Sequence, residues 1–278
     1  MPSKSATPTP RSQSIARYGW KPDLPDQRDY NYAVPHATAA ALPTRVDLRP
    51  QCPKVVYDQG QIGSCTANAI AAAIEFDRLK QKLPEFTPSR LFIYYNERVM
   101  EGTSPSVDSG AQIRDGIKSA ATLGACKETT WPYSYVNKNP AACPACPYAK
   151  KPSAAAVAEA AKYKIKSYQR LTTGQLSTLK GCLASGYPFV FGFTVYDSFE
   201  SAQVAKTGIV PMPGPQEHVL GGHAVLAVGY DDAISRFIVR NSWGPGWGMK
   251  GYFTLPYAYL SSRDLSDDFW TIRSGELM

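Results

Sequence analysis

The sequence predicts an α+β protein with a helical lobe and a sheet lobe that share one cleft. Apolar residues recur at helical spacing through the first half of the chain. The second half changes to short β-branched and aromatic runs bounded by Gly, Pro and Asp. Helices gathered first and strands second form separate layers rather than alternating βα units. A length of 278 residues, 44% of them hydrophobic, is enough for one large domain or two lobes around a substantial core.

Residues 1–19 are rich in Ser, Thr, Pro and basic residues and predict disorder. "YGWKPDLPDQRDYNY" (18–32) is different, because aromatic residues alternate with prolines and charges. It is too apolar for a free tail and too rich in proline for a helix, and so predicts an extended strap on another surface. "VPHATAAALPT" (34–44) reads as a linker. Residues 1–44 are therefore expected to form a leader, and 45–278 the compact domain, with helices mainly over 65–170 and strands mainly over 185–270.

A helix is predicted to start at Cys65, with Ala67, Ile70, Ala71 and Ile74 on one face. A second follows Pro88 in "SRLFIYYNERVM". The third is "AQIRDGIKSAATLG", capped by Asp108 or Ser109. Residues 132–152 predict a long loop, 153–162 a helix, and "TGQLSTLKGCLASG" another helix. Strands are predicted in "YPFVFGFTVY", "HAVLAVGYDD", "RFIVRNSW" and "GYFTLPY".

The net charge of +7 comes from scattered basic residues, which does not predict a nucleic-acid surface. No run reaches the ~18 apolar residues of a membrane helix, and the N-terminus lacks the apolar stretch of a secretory signal. The default expectation is an unexported, cytoplasmic monomer, with secretion possible if a leader has been trimmed. "CPAC" (143–146) has the spacing of half a zinc site but no second such pair, so no metal or cofactor is expected. The alternatives there are free thiols or a disulfide among Cys126, Cys143, Cys146 and Cys182.

"DQGQIGSCTANAIAAAIEF" (58–76) places Cys65 at the first turn of an alanine-rich helix. Backbone N–H groups and the helix dipole there favour a thiolate. Gln59 can aim its side-chain amide at the same spot as the Cys65 N–H, giving two convergent donors for an oxyanion. A thiolate nucleophile needs a base, and the base needs an orienting group. Of three histidines, His223 opens an apolar strand after two glycines, and Asn241 ends the next predicted strand in "RNSWGPGWG". Trp243 is placed to cover the His223–Asn241 bond.

These blocks resemble those of papain-family cysteine peptidases. "QGQIGSC" is similar to the family's Gln-to-Cys stretch, "GGHAVLAVGY" to its histidine strand, and "RNSWGPGWGMKGYF" to its asparagine block. "VDLR" (46–49) is similar to the usual start of the mature enzyme, and the leader to that of bacterial members with short leaders. The resemblance runs from about 44 to 270. It implies a papain-like two-lobe fold, a helical lobe beside an antiparallel sheet or barrel, with the active site between them. It also implies a cysteine endopeptidase acting on extended polypeptides through a thiolate–imidazolium pair and an acyl-enzyme. Cys65, His223, Asn241 and Gln59 would be catalytic, and Ser109, Gly110, Gly222 and Trp243 would bind substrate. The sequence departs from the family signature at Ile62 and Thr66, and Ser109 replaces one glycine of a paired-glycine ledge. His223 and Asn241 lie farther from the cysteine than the roughly 130–150 residues of the signature. About 44 residues precede "VDLR", too few for a folded inhibitory prosegment, so residues 18–32 are expected either to restrain access to the cleft or to pack on one lobe. A transglutaminase-like acyl transferase and a non-catalytic binding protein are the competing functions.

Overall fold

A computed structural model describes residues 18–134 and 143–274. The predicted disorder of the first residues, and part of the loop at 132–152, lie outside the described residues. The helices are α1 (His36–Ala40), α2 (Cys65–Lys80), α3 (Arg90–Met100), α4 (Ile113–Thr122), α5 (Ala154–Ala160), α6 (Leu176–Ala184), α7 (Ala202–Thr207) and α8 (Tyr257–Ser261). The strands are β1 (Arg45–Asp47), β2 (Ser167–Arg170), β3 (Phe189–Tyr196), β4 (Val219–Asp231), β5 (Arg236–Arg240), β6 (Tyr252–Pro256) and β7 (Ser266–Arg273).

The strands form one antiparallel sheet in the order β2-β7-β3-β4-β5-β6, with β1 added to the far end of β4. The path does not return to its first strand, so the sheet is open rather than a barrel. At its centre β3 carries Phe189, Phe191 and Phe193 on one face, all buried, with Val190 buried on the other. Phe191 stacks on Phe269 of β7 at 5.5 Å.

Helix α2 packs against β4, α3 and α4. Its alanines let neighbours come close on every side, and it is buried through Arg78. Arg78 and Lys80 in its last turn complement the dipole. Ser89 caps α3 by accepting from the Phe92 N–H at 3.1 Å. The expected cap of α4 is corrected: Gln112 takes that position, and Asp108 instead accepts from Gly63 N at 3.0 Å and from the Tyr94 hydroxyl. The leader linker contains the short helix α1, and β4 begins four residues before His223.

Candidate active site

The site lies where the start of α2 meets the middle of β4. Ser64 provides no side-chain cap for α2, because its hydroxyl bonds the Tyr133 hydroxyl at 2.6 Å and accepts from Asn68 Nδ2 at 3.0 Å. Cys65 is fully buried. Backbone N–H groups of Ala224, Gly19 and Thr66 face its sulfur and favour the anion, but burial outweighs them and pushes the thiol up to about 12.

His223 neighbours Ala224 on β4, so the residue that touches the sulfur is adjacent to the imidazole in sequence. His223 was expected at a strand start beside open space; it is instead fully buried within the strand. Its Nε2 lies 2.8 Å from Asn241 Oδ1. The Ser242 N–H donates to that same oxygen at 2.9 Å, which fixes the amide as the acceptor. Nε2 therefore carries the proton and Nδ1 is the free base. Nδ1 is buried and has no hydrogen-bond partner among the described residues. Burial lowers the imidazole to about 4, and the Asn241 bond opposes this only in part.

Aromatic rings wall this histidine. Trp243 lies at 5.3 Å, Phe193 at 5.7 Å, Tyr18 at 6.0 Å and Phe199 at 6.3 Å between ring centroids. Trp243 also packs on Phe199 at 5.2 Å and Trp247 at 5.1 Å.

Gln59 is buried and tied to the sheet lobe. Its backbone N–H donates to Ser242 O at 2.9 Å, and its Oε1 accepts from Ser242 Oγ at 2.7 Å. Its Nε2 donates to Ile62 O at 3.0 Å, so one of its two amide hydrogens is engaged in the turn before Cys65. The Gln59 amide was expected to point at the same spot as the Cys65 N–H, and the structure holds it in the turn just before that residue. Tyr133 donates to Gln59 O at 2.9 Å.

The four residues expected to bind substrate are placed differently. Gly110 has φ +67°, and its N–H donates to the Tyr94 hydroxyl at 3.1 Å. Gly222 offers its carbonyl to the cleft. Ser109 is turned onto its own strand of chain, donating to Gly110 O at 3.0 Å. Trp243 borders the histidine as described.

The leader occupies this cleft. Trp20 N donates to Gly222 O at 2.9 Å, Ala111 N donates to Gly19 O at 2.7 Å, and Lys21 N donates to Ala111 O at 3.1 Å. Tyr18 donates to Glu200 Oε1 at 2.6 Å, closing over the imidazole. Farther along, Arg114 pairs with Asp29 at 2.6 Å and donates to Leu24 O at 2.6 Å. Asp23 accepts from Trp270 Nε1 at 3.0 Å. Burial and the neighbouring Asp268 charge raise the Asp23 carboxyl above its ordinary range.

Sequence reasoning missed Asp108, Tyr94, Tyr133, Ser242 and Phe199, which position the site from outside it. A polar residue directly after Asn241 was the only local signal among them. Cys143 and Cys146 are joined as a disulfide, while Cys52, Cys126 and Cys182 are free and buried. Among the described residues no group of three or more His, Cys, Asp or Glu is placed to hold a metal, and no helix is long and apolar enough to cross a membrane.

The model of the papain family cysteine proteases matches residues 42–262. An uncharacterized peptidase C1-like protein of Acanthamoeba polyphaga mimivirus is 40% identical, over 94% of this chain and 88% of its own. The crystal structure of xylellain, a cysteine protease from Xylella fastidiosa, is similar at 50% identity and TM-score 0.88, covering 93% of this chain and 96% of that one. A procathepsin B from Trypanosoma congolense shares the fold at 18% identity and TM-score 0.72, covering 94% and 87%. The chain belongs to the papain family of cysteine proteases.

Proposed function

We propose that the chain is a cysteine endopeptidase in which Cys65 is the nucleophile, His223 its base and acid, Asn241 the group that orients the imidazole, and Gln59 an oxyanion donor. The observation that carries this reading is the unpartnered, buried Nδ1 of a histidine whose other nitrogen is held by Asn241. In the reaction the Cys65 proton passes to His223 Nδ1 and the sulfur bonds the peptide carbonyl carbon. The carbonyl electrons move onto oxygen, where the Cys65 N–H and the second Gln59 amide hydrogen stabilise them. Collapse breaks the C–N bond, and the leaving amine takes the proton from Nδ1. Water, deprotonated by the same nitrogen, then releases the acid from sulfur. Gly222 and Ala111, whose backbone groups pair with residues 19–21, are the backbone partners of an extended substrate, with Gly110 shaping the turn beside them, and Trp243 borders the leaving-group side.

The same reading makes residues 18–32 an intramolecular restraint, so that the chain as a whole acts as a zymogen. Support comes from the direction of the Gly19 amide groups. The sulfur meets the Gly19 N–H, while the Gly19 carbonyl turns to Ala111 N. The nucleophile therefore meets an amide N–H of the segment that covers it, and the Gly19 carbonyl is held away from the sulfur by Ala111. Burial beneath this segment also favours the neutral thiol and neutral imidazole over the reactive ion pair.

The test is release of aminomethylcoumarin from dipeptide amides by the full-length chain and by Cys65→Ala, with no amine added. Turnover that depends on Cys65 supports hydrolysis. Turnover that requires an added amine supports acyl transfer, and binding without turnover supports a non-catalytic role.

A further inference from the structure

Trp20 sits in a slot beside the reacting pair. Its indole stands where a side chain on Gly192 would project, and it also fills the space in front of Gly222. At the end of the slot its Nε1 donates to Asp268 Oδ2 at 3.0 Å. Asp268 is fully buried on β7, and its Oδ1 is held by Arg170 at 2.8 Å. Among the described residues Oδ2 takes two donors, Trp20 Nε1 and Asp23 N, the latter at 2.7 Å, and both belong to the leader. Withdrawal of the leader strips this oxygen of both partners. A buried charged acceptor left without a donor is costly, so whatever enters the slot must supply one.

The charges around the slot decide the kind of donor. Asp267 also pairs with Arg170, at 3.3 Å, and it accepts from Thr173 Oγ1 at 2.6 Å. Arg114 lies over the Trp270 ring, 5.7 Å from its centroid, and its two side-chain partners, Leu24 O and Asp29, leave with the leader. Arg114 and Arg170 both lie over the Trp270 ring, so two guanidiniums balance the two carboxylates of this region and leave no charge excess that would reward a cation. Its two glycine walls suit a flat ring, and its end suits a neutral N–H.

We infer that this slot selects peptide substrates carrying tryptophan, whose indole replaces that of Trp20 and donates to Asp268. This rests on the peptidase reading above. The test uses the full-length chain with Trp20→Ala, which empties the slot while the leader stays attached. Four dipeptide aminomethylcoumarin amides share one residue next to the cleaved bond and carry Trp, Phe, Leu or Arg before it. The Trp substrate is expected to exceed Phe in kcat/KM by about tenfold or more, since Phe leaves the charged acceptor unpaired. Adding Asp268→Asn should bring the Trp-to-Phe ratio close to one, because Arg170 keeps the amide oxygen and turns the amide N–H toward the slot. Equal rates for Trp and Phe, or a ratio that Asp268→Asn leaves unchanged, would overturn the inference. Hydrolysis of none of the four, in a variant whose Cys65 is alkylated by iodoacetamide and is therefore uncovered, would overturn the peptidase reading instead. The slot is then read without turnover, by calorimetric binding of a synthetic peptide of residues 18–29 to the Trp20→Ala chain. A peptide with Phe in place of Trp20 should bind about tenfold more weakly, and equal binding overturns the inference.

Discussion

Replacing Gly19 with alanine should switch the restraint off. A Cβ built on Gly19 would come within 3.0 Å of three backbone atoms of Gly63, which no rotamer change can relieve. Gly63 cannot retreat freely, because its N–H is bound to Asp108 at 3.0 Å and Cys65 follows two residues later. The leader must lift instead, and the bonds Trp20 N to Gly222 O (2.9 Å), Ala111 N to Gly19 O (2.7 Å) and Lys21 N to Ala111 O (3.1 Å) are strained or lost. At about 0.5–1.5 kcal/mol each, their loss destabilises the closed state by roughly 2–4 kcal/mol. That is about a 30- to 1,000-fold rise in the open fraction, which the initial rate of aminomethylcoumarin release reports until opening is complete. Circular dichroism and Tm check that the variant stays folded. A folded Gly19→Ala chain with the wild-type rate would refute the claim that the leader restrains the site.

Other expectations follow from the same geometry. Gln59→Ala in the Gly19→Ala background should lower kcat by about 100- to 1,000-fold with a smaller change in KM, as loss of an oxyanion donor does; steady-state kinetics read this. In the closed chain burial raises Cys65 to about 12 and lowers His223 to about 4. Opening removes the desolvation, so the thiol falls and the imidazole rises. Iodoacetamide labelling of Cys65 in Gly19→Ala should therefore extend to much lower pH than in the wild type, as quantified by mass spectrometry. The buried neutral His223 also links folding to acid. The unfolded chain binds this proton between its ordinary value of 6.5 and about 4, so His223 lowers stability as the pH falls through that window. His223→Gln should show a shallower loss of Tm there. Alkylation in denaturant should count four free thiols, Cys52, Cys65, Cys126 and Cys182, and six after reduction of the Cys143–Cys146 bond.

The fold class and the site residues were legible because their chemistry leaves little freedom. A cysteine at a helix start, a histidine in an apolar strand and an asparagine at the next strand's end are residue types that few other roles require in that order. The alanine-rich α2 and the aromatic β3 announced themselves by spacing. The strand β7 did not, because "SDDFWTIR" carries two aspartates near its start that become tolerable inside a sheet through partners distant in sequence, Arg170, Thr173, Trp20 and Asp23. The cap of α4 was misjudged because Asp108 is used at long range, holding Gly63 and Tyr94 rather than its own helix. The barrel alternative failed because closure depends on pairing between the first and last strands of the sheet, which local pattern does not encode. The path of Trp20 was hidden for a similar reason. Its pocket is the absence of side chains at Gly192 and Gly222, 172 and 202 positions away (192 − 20 and 222 − 20), and an absence has no periodicity.

The most direct measurement is the location of a single covalent adduct. An epoxide inactivator of thiol peptidases is added to the Gly19→Ala chain, and bound inhibitor is mapped by peptide mass spectrometry against residual amidase activity. One equivalent on Cys65, forming in step with loss of turnover and abolished by His223→Ala, is the predicted result. Modification of Cys52, Cys126 or Cys182 in place of Cys65, or turnover that survives in Cys65→Ala, would contradict it.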